Sequence, residues 1–175
     1  MAISSDRIRR TKIQREAEGY LELGMPRQVL GVLARLGDPT GFDGRALYLW
    51  GESLRILGRY EEALVPLGQA AEVDCGNVHV WVALGWCYKR TGRLSQAIEA
   101  LRTAVSVRPG EALLHYNLAC YWSLAGDKRL ALRSLSQSLA IDPSYRLLID
   151  GETDFDPLRT DPEFRKLCQR KKVHR

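Results

Sequence analysis

A chain of 175 residues can bury on the order of 70% of the surface its unfolded form exposes, and 45% hydrophobic with 27% charged residues is a soluble globular composition. No apolar run approaches the ~18 residues of a membrane helix, and the opening MAISSDRIRR lacks the apolar core of a signal peptide, so no membrane insertion and a cytoplasmic location are expected. The net charge of +5 sits at the ends: residues 1–15 and 165–175 together carry 11 bases and one acid, leaving 15 bases against 20 acids between them, a balance of −5.

In chain order, residues 4–22 read as a helix. Ser4 or Ser5 would cap it, and Ile13, Ala17 and Tyr20 share one face. Gly24 ends it, Pro26 opens the next helix, and Val29, Leu30, Leu33 and Leu36 follow. After the turn Asp38-Pro39-Thr40-Gly41, residues 44–77 repeat this layout with Leu47, Trp50, Gly51, Leu54, Gly58, Ala63, Leu67 and Ala70. Pro66 falls inside the second helix of that pair, where a local bend is expected.

Residues 78–111 state the pattern most fully. Trp81, Leu84, Gly85 and Tyr88 lie on one helical face, Gly92 ends the helix, and Leu94, Ala97, Ile98, Leu101, Ala104 and Val105 line the next up to Pro109. Residues 112–145 return to it with Leu118, Ala119, Trp122, Gly126, Ala131, Leu135 and Pro143. His115 replaces the opening aromatic, and with no carboxylate or cysteine placed to assist it, it reads as a packed core histidine.

Residues 146–175 leave the period. Tyr145, Leu147, Leu148 and Ile149 suggest a short capping helix. Asp161-Pro162-Glu163 starts another, with Phe164, Leu167 and Cys168 on one face. The acidic run from Asp150 to Asp156 has Phe155 where a calcium loop needs glycine, so it reads as a solvated turn.

The period is 34 residues, and the residues Trp81, Leu84, Gly85, Tyr88, Gly92, Ala97, Leu101, Ala104 and Pro109 resemble the tetratricopeptide repeat in full. That resemblance implies an all-α solenoid of stacked antiparallel helical hairpins, coiled into a right-handed superhelix. The hairpins would be 10–43 (degenerate), 44–77, 78–111 and 112–145. Residues 146–175 would form a C-terminal capping segment with a capping helix and basic tail; FDPLRTDPEFRKL looks like the closing segment of many bacterial members.

In such arrays the first helix of each repeat lines a concave groove. Residues off the core face are then the candidate partner-binding set: Arg45, Tyr48, Glu52 and Arg55; His79, Val82, Trp86, Lys89 and Arg90; and Tyr116, Asn117 and Cys120, with Leu113 and Ser123 beside them. Tryptophan, tyrosine and arginine dominate binding energy at interfaces, so the expected partner is another protein, through an extended or helical segment bearing acidic and apolar residues. The competing reading packs Trp86 against the next helix and leaves Arg55, Lys89 and Arg90 as a solvated face. Some family members clamp a terminal carboxylate, but the matching slots here are Gln14, Glu18, Leu49, His79 and Ala83, and none fits.

Cys75, Cys87, Cys120 and Cys168 form no C-x-x-C and no zinc spacing. Free thiols, no metal and no cofactor are therefore expected. No nucleophile–base constellation or phosphate loop occurs, and a His79–Cys120 pair would lack an orienting carboxylate, so no enzyme is expected. Two other classes stay open. One is a secretion-type chaperone for exported clients. The other is attachment to nucleic acid or another acidic surface through the basic termini, although the tail offers no aromatic for base stacking. Oligomerisation is also left open.

Overall fold

The computed structural model describes the backbone of residues 2–169 and the side chains of residues 6–169. Among them there is no strand, and the chain divides into two compact units, residues 1–92 and 93–175. The expected basic tail beyond Gln169 lies outside the described residues.

The first unit holds helices α1 (Ala2–Glu22), α2 (Pro26–Leu33), α3 (Gly44–Ile56), α4 (Tyr60–Val73) and α5 (Val78–Arg90). Two antiparallel hairpins, α1/α2 and α3/α4, stack in sequence, and α5 packs on α4 and alongside α3. Ser4 and Ser5, where the helix was expected to start, fall inside α1, which begins at Ala2. At 21 residues α1 is also longer than α3 and α5, with 13 each. Pro26 occupies the first turn of α2, where its missing N–H costs nothing.

Three turns of this unit close on left-handed glycines: Gly24 (φ 68°), Gly58 (φ 76°) and Gly92 (φ 77°). That conformation costs other residues about 1–2 kcal/mol, so the spacing of 34 is written into the backbone as well as the apolar pattern. The hairpin α3/α4 is tight at Gly51, where a Cβ would lie 2.6 Å from Leu67 Cγ. Buried Leu49, Leu54, Ala63, Leu67 and Ala70 fill the space around it. The helix α4 runs unbroken through Pro66. Trp81 is only half-buried: its indole N–H donates to the Cys75 carbonyl at 2.8 Å and ties down the loop before α5.

The second unit holds α6 (Leu94–Val107), α7 (Ala112–Leu124), α8 (Lys128–Ile141), α9 (Arg146–Ile149) and α10 (Pro162–Cys168). Helix α6 packs on α7, and α7/α8 form a hairpin turning at Gly126 (φ 77°). His115 is buried, with Nε2 2.7 Å from the Pro109 carbonyl oxygen. A carbonyl only accepts, so Nε2 carries the proton and the ring is satisfied as a core group.

The closing segment is built around Phe155, which is fully buried in a 3-10 helix over Thr153–Leu158. Its ring meets Tyr116 edge-on at 5.6 Å and Phe164 at 5.5 Å. Asp161 starts α10 by accepting the N–H groups of Glu163 and Phe164 at 2.9 and 3.1 Å. In α9 only Ile149 is buried, while Leu147 and Leu148 face solvent.

Candidate functional site

In the first unit α1, α3 and α5 lie side by side, and most of the expected binding residues fall along the face they share. Asp43 caps α3, accepting the Ala46 N–H at 3.0 Å, and takes the Gln14 amide of α1 at 2.8 and 2.7 Å. Arg45 then reaches Glu18 on α1 in a two-pronged ion pair, which raises the guanidinium pKa further. One turn on, Tyr48 faces His79 of α5 across 6.5 Å. Burial, with the Glu52 carboxylate adding and Arg55 opposing, pushes the Tyr48 phenol up to about 12. It therefore stays a neutral hydrogen-bonding group at any ordinary pH.

The strip ends at Trp86. This ring is 42% exposed, unusual for so large an apolar group at mid-helix. The Arg55 guanidinium lies 5.8 Å from its centroid and the Lys89 ammonium 5.9 Å, both within cation–π range. Glu52 holds Arg55 bidentately, Nε–H at 2.7 Å and Nη2–H at 2.6 Å, with both side chains partly buried. Glu52 thereby orients Arg55 and leaves its Nη1 edge to other acceptors. Beneath them the Cys87 thiol is buried, and desolvation pushes it up to about 12 despite Arg55 nearby, so it is inert. Val82 is half-buried and His79 exposed on the same helix.

Two expectations need correction here. Arg45 and Arg55 belong to the set expected to meet a partner bearing acidic residues, yet each already holds a carboxylate of this chain, Glu18 and Glu52, so the strip is nearly balanced in charge. Arg90 does not join it: its guanidinium lies 5.3 Å over the Tyr60 ring at the start of α4. It points there because it is one residue past Lys89, about 100° further round the helix.

The third set of expected residues belongs to the second unit and is largely shut away. Tyr116 and Cys120 are 4% and 3% exposed, and Ser123 is buried too. Tyr116 lies against Tyr145 and Phe155, so the closing segment covers the face expected to be open. Asn117 is half-buried and Leu113 exposed. The Tyr116 hydroxyl is buried without a partner, and desolvation raises its pKa first of all.

Ligand atoms of Cys120, Glu152 and Asp154 lie within 4.8 Å of one another, a grouping the cysteine spacing gave no sign of. One Glu152 oxygen is committed to the Asp154 N–H at 3.1 Å, closing the start of the 3-10 helix. The four cysteines are free thiols. No helix among the described residues is long and apolar enough to cross a membrane.

Residues 54–119 match the family model for the tetratricopeptide repeat. Among solved structures, MamA from Desulfovibrio magneticus RS-1 superposes with a TM-score of 0.65 at 18% identity, over 90% of this chain and 92% of that one. YrrB, described as a TPR protein with an unusual peptide-binding site, gives 0.68 at 22% identity, over 77% and 70%. The Yersinia enterocolitica type III secretion chaperone SycD, solved with a peptide of the translocator YopD, gives 0.56 at 18% identity, over 62% and 86%. These likenesses establish the fold. No curated protein matches the chain by sequence.

Proposed function

Because this chain carries tetratricopeptide repeats, we propose that it is a non-catalytic interaction module that holds a segment of a partner protein against the α1–α3–α5 face. The observation that carries this reading is Trp86: a large ring left 42% exposed, with Arg55 and Lys89 drawn up to it. Exposed aromatics flanked by oriented cations are what interface hot spots are made of. The peptide-binding descriptions of YrrB and SycD support the class of activity.

The segment it takes carries an apolar anchor for Trp86 and a carboxylate for the Nη1 edge of Arg55. Tyr48 and His79 supply hydrogen bonds further along. Arg45 and Glu52 serve to fix the surface. A secretion-type chaperone is a special case in which the segment belongs to an exported client.

The test is a photo-crosslinking residue at Val82 in the intact chain, with the captured segment identified by mass spectrometry and then synthesised. Trp86→Ala should weaken binding of that segment by about 2 kcal/mol or more, with the melting temperature nearly unchanged. Undiminished binding by Trp86→Ala would remove this face from the account.

A further inference from the structure

The second unit carries a separate groove, of about 710 Å³, between α8 and α10. Its floor is Leu132 and Leu167, both half-buried. Its walls bring together Arg129, Arg133, Arg146 and Lys166, with Lys128 and Glu163 at one end. Lys128 is already matched, lying 3.0 Å from Asp161 and 3.3 Å from Glu163. That pairing engages Glu163, the acidic residue of the lining. Among the described residues, Arg129, Arg133 and Lys166 enter no hydrogen bond or ion pair through their side chains, and the Arg146 Nε is buried without an acceptor.

Four cations facing one apolar floor repel one another, and a buried guanidinium N–H without an acceptor is costly. The repulsion is relieved by an anionic ligand that also covers the leucines. Residues 170–175, RKKVHR, contain no acidic side chain. We propose that this groove binds an acidic peptide segment of a partner protein, one bulky apolar side chain seated on Leu132 and Leu167 and its carboxylates on Arg129, Arg133, Arg146 and Lys166. Two features favour peptide over the alternatives. The apolar surface is recessed between helices, which suits a single side chain and not a lipid bilayer. The lining holds no aromatic on which a nucleic-acid base could stack. The proposal stands independently of the Trp86 face, which lies in the other unit.

The probe is a fluorescein-labelled peptide, Glu-Glu-Phe-Glu-Glu-Leu-Glu-Glu, titrated with the full chain and read by anisotropy beside its all-Gln counterpart. The acidic form should bind at least about tenfold tighter than the Gln form. Arg133→Glu with Lys166→Glu should weaken it by about tenfold or more, whereas Arg27→Glu, exposed on α2 and outside both faces, should leave it unchanged. Both altered residues are exposed, so the melting curve should hold; if it does not, Arg133→Gln with Lys166→Gln replaces the pair and should give the same direction. Equal binding of the two peptides would overturn the proposal. So would loss of binding through Lys89→Glu on α5 but not through the α8–α10 pair. Binding of phosphatidylglycerol vesicles in place of the peptide, abolished by the same two changes, would also overturn it and assign the groove to a membrane surface.

Discussion

Replacing Phe155 with alanine should unlock the closing segment of the second unit. The ring is fully buried and meets Tyr116 at 5.6 Å with planes 86° apart, and Phe164 at 5.5 Å. Truncating an enclosed phenylalanine costs about 3–5 kcal/mol, of which edge contacts between rings make up about 0.5–1.5 kcal/mol each. At about 2–4 °C per kcal/mol for a chain of this size, the midpoint should fall by roughly 6–20 °C. The assay is thermal and urea unfolding followed by far-UV circular dichroism. Leu147→Ala, 75% exposed on α9, is the comparison and should stay within about 0.5 kcal/mol of the wild type. A local readout accompanies it: Cys120, 3% exposed beside Tyr116, should become more reactive toward iodoacetamide in Phe155→Ala. The same midpoint for both variants would refute the idea that this ring fastens the cap.

Gly51→Ala would place a Cβ 2.6 Å from Leu67 Cγ and 3.3 Å from its backbone nitrogen. It should destabilise by about 1–3 kcal/mol, although alanine is the better helix former; an unshifted denaturant midpoint would mean that α3 and α4 are not so close. Alkaline pH should destabilise the fold through Cys87, whose thiol is pushed up to about 12 by burial. The unfolded chain releases this proton near pH 8.5 and the folded chain keeps it, so stability present below about pH 8.5 is lost as pH rises toward 12. Cys87→Ala should flatten that slope between about pH 8 and about pH 10, and identical slopes would count against it.

The repeat was legible because it is local. Trp81, Leu84, Gly85 and Tyr88 sit on one helix, and Gly24, Gly58, Gly92 and Gly126 recur at 34 residues with positive φ throughout. What escaped the sequence depends on contacts between distant residues. Nothing periodic says that Phe155 folds back on Tyr116, 39 positions earlier. Tyr116 and Cys120 therefore read as an open face when the cap in fact closes it. Arg45 and Arg55 read as free cations for a similar reason. The partner Glu18 lies 27 positions from Arg45, and Glu52, at three positions from Arg55, looked like one more groove residue. The α8–α10 groove was hidden likewise, since Leu132 comes from α8 and Leu167 from α10 in the closing segment.

Asp43 does two jobs with one carboxylate: Oδ1 caps the first turn of α3, and both oxygens take the amide of Gln14 from α1. Helix nucleation and helix docking are thereby coupled. Whenever α1 swings away, Asp43 regains its rotamer freedom and the first turn of α3, which carries Arg45 and leads into Tyr48, is left to fray. The Ala46 amide should consequently exchange with solvent deuterium at the rate at which α1 opens, faster than the amides deeper in α3. Readiness to bind on this face would then be a population, set by how often the N-terminal helix is home.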